Sequence, residues 1–341
     1  MRQLASVQKI VDIQPIEGAD AIEVATVLAW KVVVKKNEFK VGDLVVYCEI
    51  DSWIPHELAP FLSKGQDPRE YNNIKGERLK TIRLRGQVSQ GLILPSNILT
   101  NGDNVAYTLT EGDDVTDALT IQKWEAPISA QLSGMAKGNF PSEIPKTDQD
   151  RVQSMRNKDF VPMLDMQFEL TEKLEGSSCT MAILNGEFIV CSRNINLKET
   201  EGNTFWTMAR KYDVEQKMRN AGWDNIAIQG EVIGESIQQN HYNIKGQEFQ
   251  VFDLYNIATG EYYKPQDRWD IIKGFGLTHV PVLATGKLRE FGATQQALVD
   301  FADGKSVLNK DKLREGVVFK SLTTSDHFKA VSNKYLEKTG N

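Results

Sequence analysis

The stretch TEKLEGSS, residues 171–178, combines a lysine, an acid two positions later, and a glycine followed by two serines. The apolar run before it predicts a strand, and EGSS predicts a turn. Because residues i and i+2 of a strand point to the same face, Lys173 and Glu175 share one side. On an exposed face the two would form an ordinary ion pair. In a pocket they would set an amine beside a carboxylate that can hold a metal ion.

The composition is that of a soluble globular protein with roughly two domains, since the chain has 341 residues, of which 40% are hydrophobic and 25% charged. The N-terminus lacks the apolar core of a signal peptide, and no apolar run reaches membrane-spanning length. The three cysteines lie among apolar neighbours, which predicts buried thiols in a reducing compartment. We therefore expect a monomer in the cytoplasm or elsewhere inside the cell, without a membrane partner.

The chain shows two successive patterns. Residues 1–105 contain short Val- and Ile-rich runs separated by Gly, Asp, Asn and Pro, which predicts a small β-barrel. Residues 106–150 are polar and irregular, which predicts a linker. Residues 151–341 mix strand-like and helical runs. Here Asn185-Gly186 predicts a hairpin turn, residues 203–222 predict one amphipathic helix, and Thr147 predicts a helix N-cap just before this part.

A basic strip, KGERLKTIRLRG at residues 75–86, stands out in a chain whose formal net charge is −6. Most charge runs are solvated strand or helix faces, and the segment by itself favours that interpretation. The alternative is a surface that contacts the phosphates of a nucleic acid.

Five further short motifs follow KLEGSS. Each one alone is weak, because it can equally be an exposed turn, a solvated strand or ordinary core. They occur in the order KLEGSS, SRN, GEVIG, FDLY, EGVVFK and FKAVSNKYL, at residues 173–178, 192–194, 230–234, 252–255, 315–320 and 328–336. Several matches in a fixed order are much rarer by chance than any single match.

In this order the motifs resemble motifs I, Ia, III, IIIa, IV and V of the covalent nucleotidyltransferases, the superfamily of RNA ligases, DNA ligases and mRNA capping enzymes. The resemblance covers residues 146–337. The N-terminal part resembles the OB module of ATP-dependent RNA ligases in which that module comes first. It implies an α+β fold with an OB-fold β-barrel at residues 1–105, a linker at 106–150, and a nucleotidyltransferase domain at 151–341 that has ATP-grasp-like antiparallel sheets and helices.

The resemblance implies that the amine of Lys173 attacks the α-phosphate of ATP and forms a lysyl-AMP. An amine attacks only after it loses its proton, and we expect nearby positive charge from Lys320 and Lys329 to favour that loss. The expected carboxylates for Mg²⁺ or Mn²⁺, bound directly or through water, are Glu175, Glu231 and Glu315.

The remaining roles also follow from the resemblance. Phe252 matches the aromatic residue that stacks on adenine, Glu231 also matches a ribose contact, and the two motif lysines match contacts to the AMP phosphate. Arg193 matches an arginine associated with the nucleotide or the RNA 3′ end, and Arg151 with the β- and γ-phosphates. The expected nucleotide-binding residues are Lys173, Arg151, Arg193, Glu231, Phe252, Lys320 and Lys329.

The chain departs from the family pattern at two positions. Many relatives have Asp where this chain has Glu175, whose carboxylate reaches one methylene further. Several RNA ligases have a second lysine in motif V, where this chain has Val331. We also expect no C-terminal OB domain after Tyr335, in contrast to DNA ligases and capping enzymes.

The favoured function is an ATP-dependent RNA ligase, in which AMP passes to an RNA 5′-phosphate and a 3′-OH then displaces it. The expected partner is RNA with 3′-OH and 5′-phosphate ends, with nicked duplex as one candidate. The candidate RNA contacts in the basic strip are Arg78, Lys80, Arg83 and Arg85. A capping guanylyltransferase or DNA ligase is the nearest alternative, and SRN counts against both. A non-catalytic RNA-binding homologue would not need the lysine and acids of the motifs, and a small-molecule ligase would not need an OB module.

Overall fold

The computed structural model describes residues 3–99 and 109–339. The chain forms two compact units. Unit 1 comprises residues 1–127, 153–161 and 336–341, and unit 2 comprises residues 128–152 and 162–335. The segment expected to be a linker, 106–150, is divided between them from residue 109 onward, because one of its strands pairs in a sheet of unit 1 and another in a sheet of unit 2.

Unit 1 is built almost entirely from short strands. They are β1 (Ala5–Pro15), β2 (Ile22–Val27), β3 (Trp30–Lys35), β4 (Leu44–Cys48), β5 (Ser52–Pro55), β6 (Arg69–Tyr71), β7 (Ile74–Arg78), β8 (Thr81–Leu84), β9 (Gln87–Gln90), β10 (Leu92–Pro95) and β11 (Gln122–Lys123). Short 3₁₀ helices lie at Pro60–Ser63, Ser96–Leu99 and Val152–Ser154. A further 3₁₀ helix, Val161–Asp165, spans the boundary between the units.

The centre of unit 1 is the long strand β1. Its first half pairs with β4 and its second half with β2, and the register shifts between Ile10 and Asp12. Because β1 pairs on both sides, it joins an antiparallel five-stranded sheet in the order β10-β4-β1-β2-β3. The unit also contains a four-stranded sheet, β11-β5-β7-β6, and the hairpin β8-β9. Val7, Val46 and Ile54 are buried between these strands.

Unit 2 contains two sheets and most of the helices. Its strands are β12 (Ala136–Asn139), β13 (Gln167–Lys173), β14 (Ser177–Leu184), β15 (Glu187–Ser192), β16 (Ile195–Leu197), β17 (Ile226–Gly234), β18 (Gln247–Asn256), β19 (Glu261–Tyr262), β20 (Thr278–His279), β21 (Val282–Lys287), β22 (Gly316–Ser321) and β23 (His327–Val331). The helices of the chain are α1 (Ala130–Gly134), α2 (Asn157–Phe160), α3 (Thr204–Lys211), α4 (Val214–Asn220), α5 (Pro265–Gly274), α6 (Leu288–Phe291), α7 (Gln295–Ala302) and α8 (Asn333–Thr339).

The larger sheet of unit 2 has the order β12-β16-β15-β14-β17-β18-β19, with β20 added parallel to β18. The smaller sheet has the order β21-β13-β22-β23. Helix α3 packs its buried Phe205, Trp206 and Met208 against the larger sheet. The mixture of antiparallel sheets and separate helices is the expected α+β architecture.

The structure confirms one of the three local predictions made from the sequence and contradicts two. The hairpin turn is confirmed, because Asn185 and Gly186 connect β14 to β15 with φ values of 52° and 80°. The single helix at residues 203–222 is wrong, because Asp213 has φ 51° and separates α3 from α4. The helix N-cap at Thr147 is also wrong, because no helix begins there; its hydroxyl lies 3.1 Å from Ser178 Oγ on β14.

None of the helices in the described residues is long and apolar enough to span a membrane.

Candidate active site

Lys173 is the last residue of β13 and pairs across the sheet with Gly316 at the start of β22. Its Nζ atom lies 2.6 Å from Oε1 of Glu315, the residue that precedes β22. The two side chains are 27% and 18% exposed, so the ion pair is partly accessible to solvent. A ligand can therefore approach this amine, which the strand holds in place.

The motif lysines share a sheet face with Lys173. Strand pairing aligns Thr171, Val318 and Lys329 across β13, β22 and β23, one step along the sheet from the pair formed by Lys173. Lys320 lies on the same face, opposite Glu169. The sheet therefore brings the three lysines to one side, as the motifs imply. The charged group closest to the candidate nucleophile in the described contacts is nevertheless an acid.

Lys320 is fixed by the strand that carries Phe252. Its Nζ atom lies 2.6 Å from Asp253 Oδ1, donates to the Phe252 carbonyl at 2.7 Å, and lies 5.7 Å from the centre of the Phe252 ring. Burial lowers the pKa of Lys320 to about 8, although the neighbouring carboxylate of Asp253 opposes that shift. In this structure Lys320 therefore anchors β18 and the ring of Phe252.

A buried charged network continues behind Lys320. Arg268 is 1% exposed and forms an ion pair with Glu169. Its Nε donates to His279 Nε2 at 3.0 Å. Burial, with the charge of Arg268, lowers the pKa of His279 to about 3, so the ring is neutral and can accept this hydrogen bond. The network joins the two sheets of unit 2, because Glu169 lies on β13 and His279 on β20.

Glu231 lies on β17, directly opposite Ser178 of β14. Burial raises the pKa of its carboxyl to about 8; Lys173 opposes the shift and Glu315 adds to it. The turn at Gly176 packs tightly on this strand, since a Cβ there would lie 2.5 Å from the Val232 carbonyl oxygen and 2.7 Å from Glu231 Cγ. Glycine is therefore required for the turn to approach the acid this closely.

Glu175 contacts two residues that the motifs do not include, His241 and Tyr242, and its side chain also hydrogen-bonds Tyr335 of the last motif. Its backbone N–H donates to Tyr242 Oη at 2.6 Å, and its Oε2 atom lies 3.0 Å from His241 Nδ1. Both partners lie in the loop between β17 and β18. One oxygen of the Glu175 carboxylate therefore faces the His241 ring as a close polar contact, without the geometry of a hydrogen bond.

The three expected metal carboxylates do not form a closed ligand set. In the described ranges, no three His, Cys, Asp or Glu side chains lie close enough together to bind an ion directly. Glu315 is paired with Lys173, and Glu175 with His241. The carboxyl of Glu231 accepts no hydrogen bond from a described residue, and burial disfavours its negative charge, which a nearby cation would favour. The residues therefore fit a hydrated Mg²⁺, which retains several waters, better than a bare ion.

The two candidate arginines lie in different surroundings. Arg151 is 7% exposed and its backbone forms a parallel bridge with Lys329, whose N–H donates to the Asp150 carbonyl at 2.9 Å. Arg193 is 43% exposed and its Nη2 lies 2.7 Å from Asp148 Oδ1. Arg151 is therefore brought to the strand of a motif lysine, and Arg193 lies on the surface of unit 2.

Two segments of the chain match known families: residues 4–96 match an OB-fold domain, and residues 166–336 match RNA ligase. Solved structures of Naegleria gruberi RNA ligase are similar over the whole chain. An apo aspartate-to-alanine variant is 42% identical and covers 99% of this chain and 98% of its own, with a TM-score of 0.89. A lysine-to-alanine variant with ATP and Mn is 43% identical, covers 98% of each chain and has a TM-score of 0.86.

The chain belongs to the RNA ligase family. A third structure, Naegleria gruberi RNA ligase with PPi, is 43% identical, covers 100% of this chain and 99% of its own, and has a TM-score of 0.87. None of the curated protein sequences compared with this chain matches it. The predicted OB-fold domain, the α+β nucleotidyltransferase architecture and the RNA ligase assignment, an enzyme that joins RNA ends, are thereby confirmed.

The basic strip of this RNA ligase does not form one surface. Arg78 is only 11% exposed; its Nη2 lies 2.6 Å from Asp51 Oδ1, and its guanidinium lies 3.9 Å from the Trp124 ring centre. Arg83 pairs with Glu337, whereas Lys80 is exposed. Arg78 therefore packs within unit 1, and its role in RNA binding stays a prediction.

Arg85 of this RNA ligase lies at the tip of the β8-β9 hairpin. It has φ 47° and precedes Gly86, which has φ 83°, so the two residues form the turn. The side chain is exposed and makes no ion pair or hydrogen bond with another residue of the described chain. It is the member of the strip best placed for a phosphate.

Sequence reasoning missed several residues of the site. Asp253, which pairs with Lys320, and Tyr335, whose ring lies beside His241, are inside the quoted motifs FDLY and FKAVSNKYL, so their position was a usable signal. His241 and Tyr242 lie outside every motif, and no local pattern connects them with Glu175, 66 and 67 residues earlier. Only the folded sheet brings them together.

Proposed function

We propose that this chain is an ATP-dependent RNA ligase that seals RNA 3′-OH and 5′-phosphate ends through a lysyl-AMP and an RNA-adenylate. The observation that carries the proposal is the Lys173 amine, held 2.6 Å from Glu315 on a sheet face that also carries the other two motif lysines. Phe252 and the carboxyl of Glu231 are supplied by the larger sheet of the same unit.

The first step forms a bond between Lys173 Nζ and the α-phosphorus of ATP, and pyrophosphate leaves. The ammonium must lose a proton before the nitrogen can attack, and Glu315 Oε1 is the nearest acceptor for it among the described side chains. Phe252 offers an aromatic face for adenine, in a position fixed by the hydrogen bond from Lys320 to its carbonyl. The amine of Lys173 and the proposed adenine-stacking ring of Phe252 are thus held by two different strands, β13 and β18.

ATP and a divalent cation are proposed as cofactors. Naegleria gruberi RNA ligase has been solved with ATP and Mn and with AMP and Mn. Bound Mg²⁺ or Mn²⁺ would neutralise the charge that develops on the phosphates. In this chain Glu231, Glu315 and Glu175 are the acids that would hold its waters, and Glu231 would gain most because burial disfavours its negative charge.

The second and third steps follow from the same centre. An RNA 5′-phosphate oxygen attacks the phosphorus of the lysyl-AMP, and the lysine nitrogen leaves. An RNA 3′-OH then attacks the 5′-phosphorus of the RNA-adenylate, AMP leaves, and the phosphodiester forms. We propose nicked duplex as one candidate substrate, a monomer as the active form, and an intracellular location. These proposals rest on the RNA ligase family and on the sequence.

The proposal is tested by incubating the protein with Mg²⁺ and α-labelled ATP, GTP or NAD, and measuring label that survives denaturation. We expect label from ATP only, and transfer to a 5′-phosphorylated RNA when RNA is added. Label from GTP would indicate a capping enzyme instead, and sealing of nicked DNA in preference to RNA would indicate a DNA ligase. Absence of label from all three would contradict the proposal.

A further inference from the structure

The loop between β17 and β18, residues 235–246, contacts the turn that follows Lys173. The backbone N–H of Glu175 donates to Tyr242 Oη at 2.6 Å, and His241 Nδ1 lies 3.0 Å from Glu175 Oε2. The loop therefore holds both the backbone and the side chain of the residue two positions after the nucleophile.

A further hydrogen bond joins the same loop to the same turn. Gln238 Nε2 donates to the Gly176 carbonyl oxygen at 3.3 Å. Gly176 also packs closely on Val232 of the larger sheet. Contacts with the loop and with this sheet therefore hold the turn at two successive residues, Glu175 and Gly176.

The loop also reaches the segment before β22. His241 Nε2 donates to the Leu313 carbonyl oxygen at 2.7 Å, and Asn309 Nδ2 donates to the Tyr242 carbonyl oxygen at 3.3 Å. Leu313 lies two residues before Glu315, the partner of Lys173. The His241 imidazole thus connects the turn after Lys173 with the segment that carries Glu315.

The imidazole ring is itself fixed by aromatic neighbours. The Tyr242 ring lies edge-on at 5.1 Å between centroids, and the Tyr335 ring lies edge-on at 5.9 Å. The loop is closed by the hydrogen bond from the Ile244 N–H to Asn240 Oδ1 at 3.0 Å. His241 therefore has little freedom to turn away from either of its polar partners.

We propose that His241 is a positioning residue for lysine adenylylation, which holds Glu175 and the Leu313–Glu315 segment in register on either side of the Lys173 amine. This inference rests on the proposed function. The described polar contacts of His241 are to Glu175 and Leu313 rather than to Lys173, so we infer that it acts through Glu175 and Glu315. Partners that orient a ligand or catalytic group from behind typically change affinity or activity by about 10–100-fold when they are removed.

Three variants separate the two contacts of the ring. His241→Ala removes both. In His241→Asn the side-chain amide takes the place of Nδ1, so it retains a polar group beside Glu175 and loses the bond to Leu313. In His241→Gln the longer side chain replaces Nε2, so it retains a donor toward Leu313 and loses the contact with Glu175. The matched control is His327→Asn, which changes an exposed histidine whose Nδ1 contacts the Ser325 carbonyl of its own turn.

The first measurement is single-turnover label transfer from ATP at several ATP and Mg²⁺ concentrations. We expect His241→Ala to lower the rate constant about 10–100-fold, with little change in the ATP concentration at half-maximal rate. The Mg²⁺ concentration at half-maximal rate should rise. His241→Asn and His241→Gln should each recover part of the loss. A variant that merely loosened the fold would lower the amount of labelled protein without shifting the Mg²⁺ dependence.

The second measurement needs neither nucleotide nor metal. Amide hydrogen exchange of the free protein should be faster in residues 173–177 of His241→Gln, faster in residues 311–315 of His241→Asn, and faster in both segments of His241→Ala. The control should leave both segments unchanged. Unchanged exchange in all three variants, or wild-type rate and Mg²⁺ dependence in His241→Ala, would overturn the inference. If the wild-type protein takes no label, the proposed function fails instead, and the exchange measurement still decides the structural role of His241.

Discussion

Lys173 Nζ lies 2.6 Å from Glu315 Oε1, although 142 positions separate the two residues in the sequence. The contact exists because Lys173 ends β13 and pairs with Gly316, the first residue of β22. The amine thus lies at the end of one strand and its nearest proton acceptor directly before the neighbouring strand, so strand register sets the spacing between them.

Replacing the amine should abolish the first step. Lys173→Met removes the only nitrogen that can form the proposed lysyl-AMP, so label from ATP should fall to background while sealing of RNA with a preformed 5′-adenylate continues. Label is measured after denaturation, with the exposed lysine variant Lys273→Met as control. Near-normal label on Lys173→Met would mean that another residue is the nucleophile.

Removing the carboxyl group of Glu231 or of Glu315 should slow adenylylation strongly. Glu231→Ala and Glu315→Ala should each reduce the single-turnover rate about 10²–10³-fold, the usual loss when a group that stabilises transition-state charge is removed. Glu315→Gln should remain slow, because an amide accepts no proton from Lys173. Rates within about threefold of the wild type would exclude a role for these acids.

The carboxyl of Glu231 should make the metal-free protein less stable at alkaline pH. Its pKa is raised from 4.5 to about 8, so the folded state binds this proton more tightly than the unfolded state does. The resulting stabilisation is complete below about pH 4.5 and is lost as the pH rises through 8. Between pH 5.5 and 8.5, with chelator present, the unfolding free energy should fall by on the order of 2 kcal/mol more than in Glu231→Gln.

The measurement for that comparison is urea unfolding at pH 5.5, 7 and 8.5. Identical pH dependence of the two proteins would show that Glu231 does not retain its proton in the fold.

Two arginines of the basic strip should behave differently. Arg85→Ala should leave the melting temperature and self-adenylylation unchanged, weaken RNA sealing, and make the salt dependence of sealing shallower, because an exposed phosphate contact releases counterions. Arg78→Ala should instead destabilise unit 1 by roughly 1–3 kcal/mol, because it leaves Asp51 without its cation and uncovers Trp124. Both variants are tested by thermal unfolding and by RNA sealing at two salt concentrations. A destabilised Arg85→Ala, or an Arg78→Ala of normal stability that seals RNA poorly, would contradict the prediction.

The ion pair between Lys320 and Asp253 should contribute to stability rather than to phosphate contact. Lys320→Met leaves a largely buried carboxylate without its closest cation and should cost about 3–5 kcal/mol in unfolding free energy. The double variant Lys320→Met with Asp253→Asn should recover part of that loss. If Lys320→Met unfolds like the wild type and fails only in adenylylation, the direct contact with AMP phosphate is the better explanation.

The sequence by itself determined the order of the chemical motifs, the strand that presents Lys173, and the turn at Asn185-Gly186. Each of these depends on neighbouring residues: side chains alternate along a strand, and glycine and asparagine tolerate positive φ. The motif order also identified the family, because it is a property of the chain and not of its packing.

The tertiary structure alone decided which residues meet. Strand pairing joins Lys173 to Glu315, sheet packing joins Lys320 to Asp253, and a loop outside every motif brings His241 to Glu175. It also separated α3 from α4 at Asp213 and placed Arg78 in a packed ion pair with Asp51. Local propensity carries no information on such pairs, because their energies depend on burial and on neighbours dozens to hundreds of residues away.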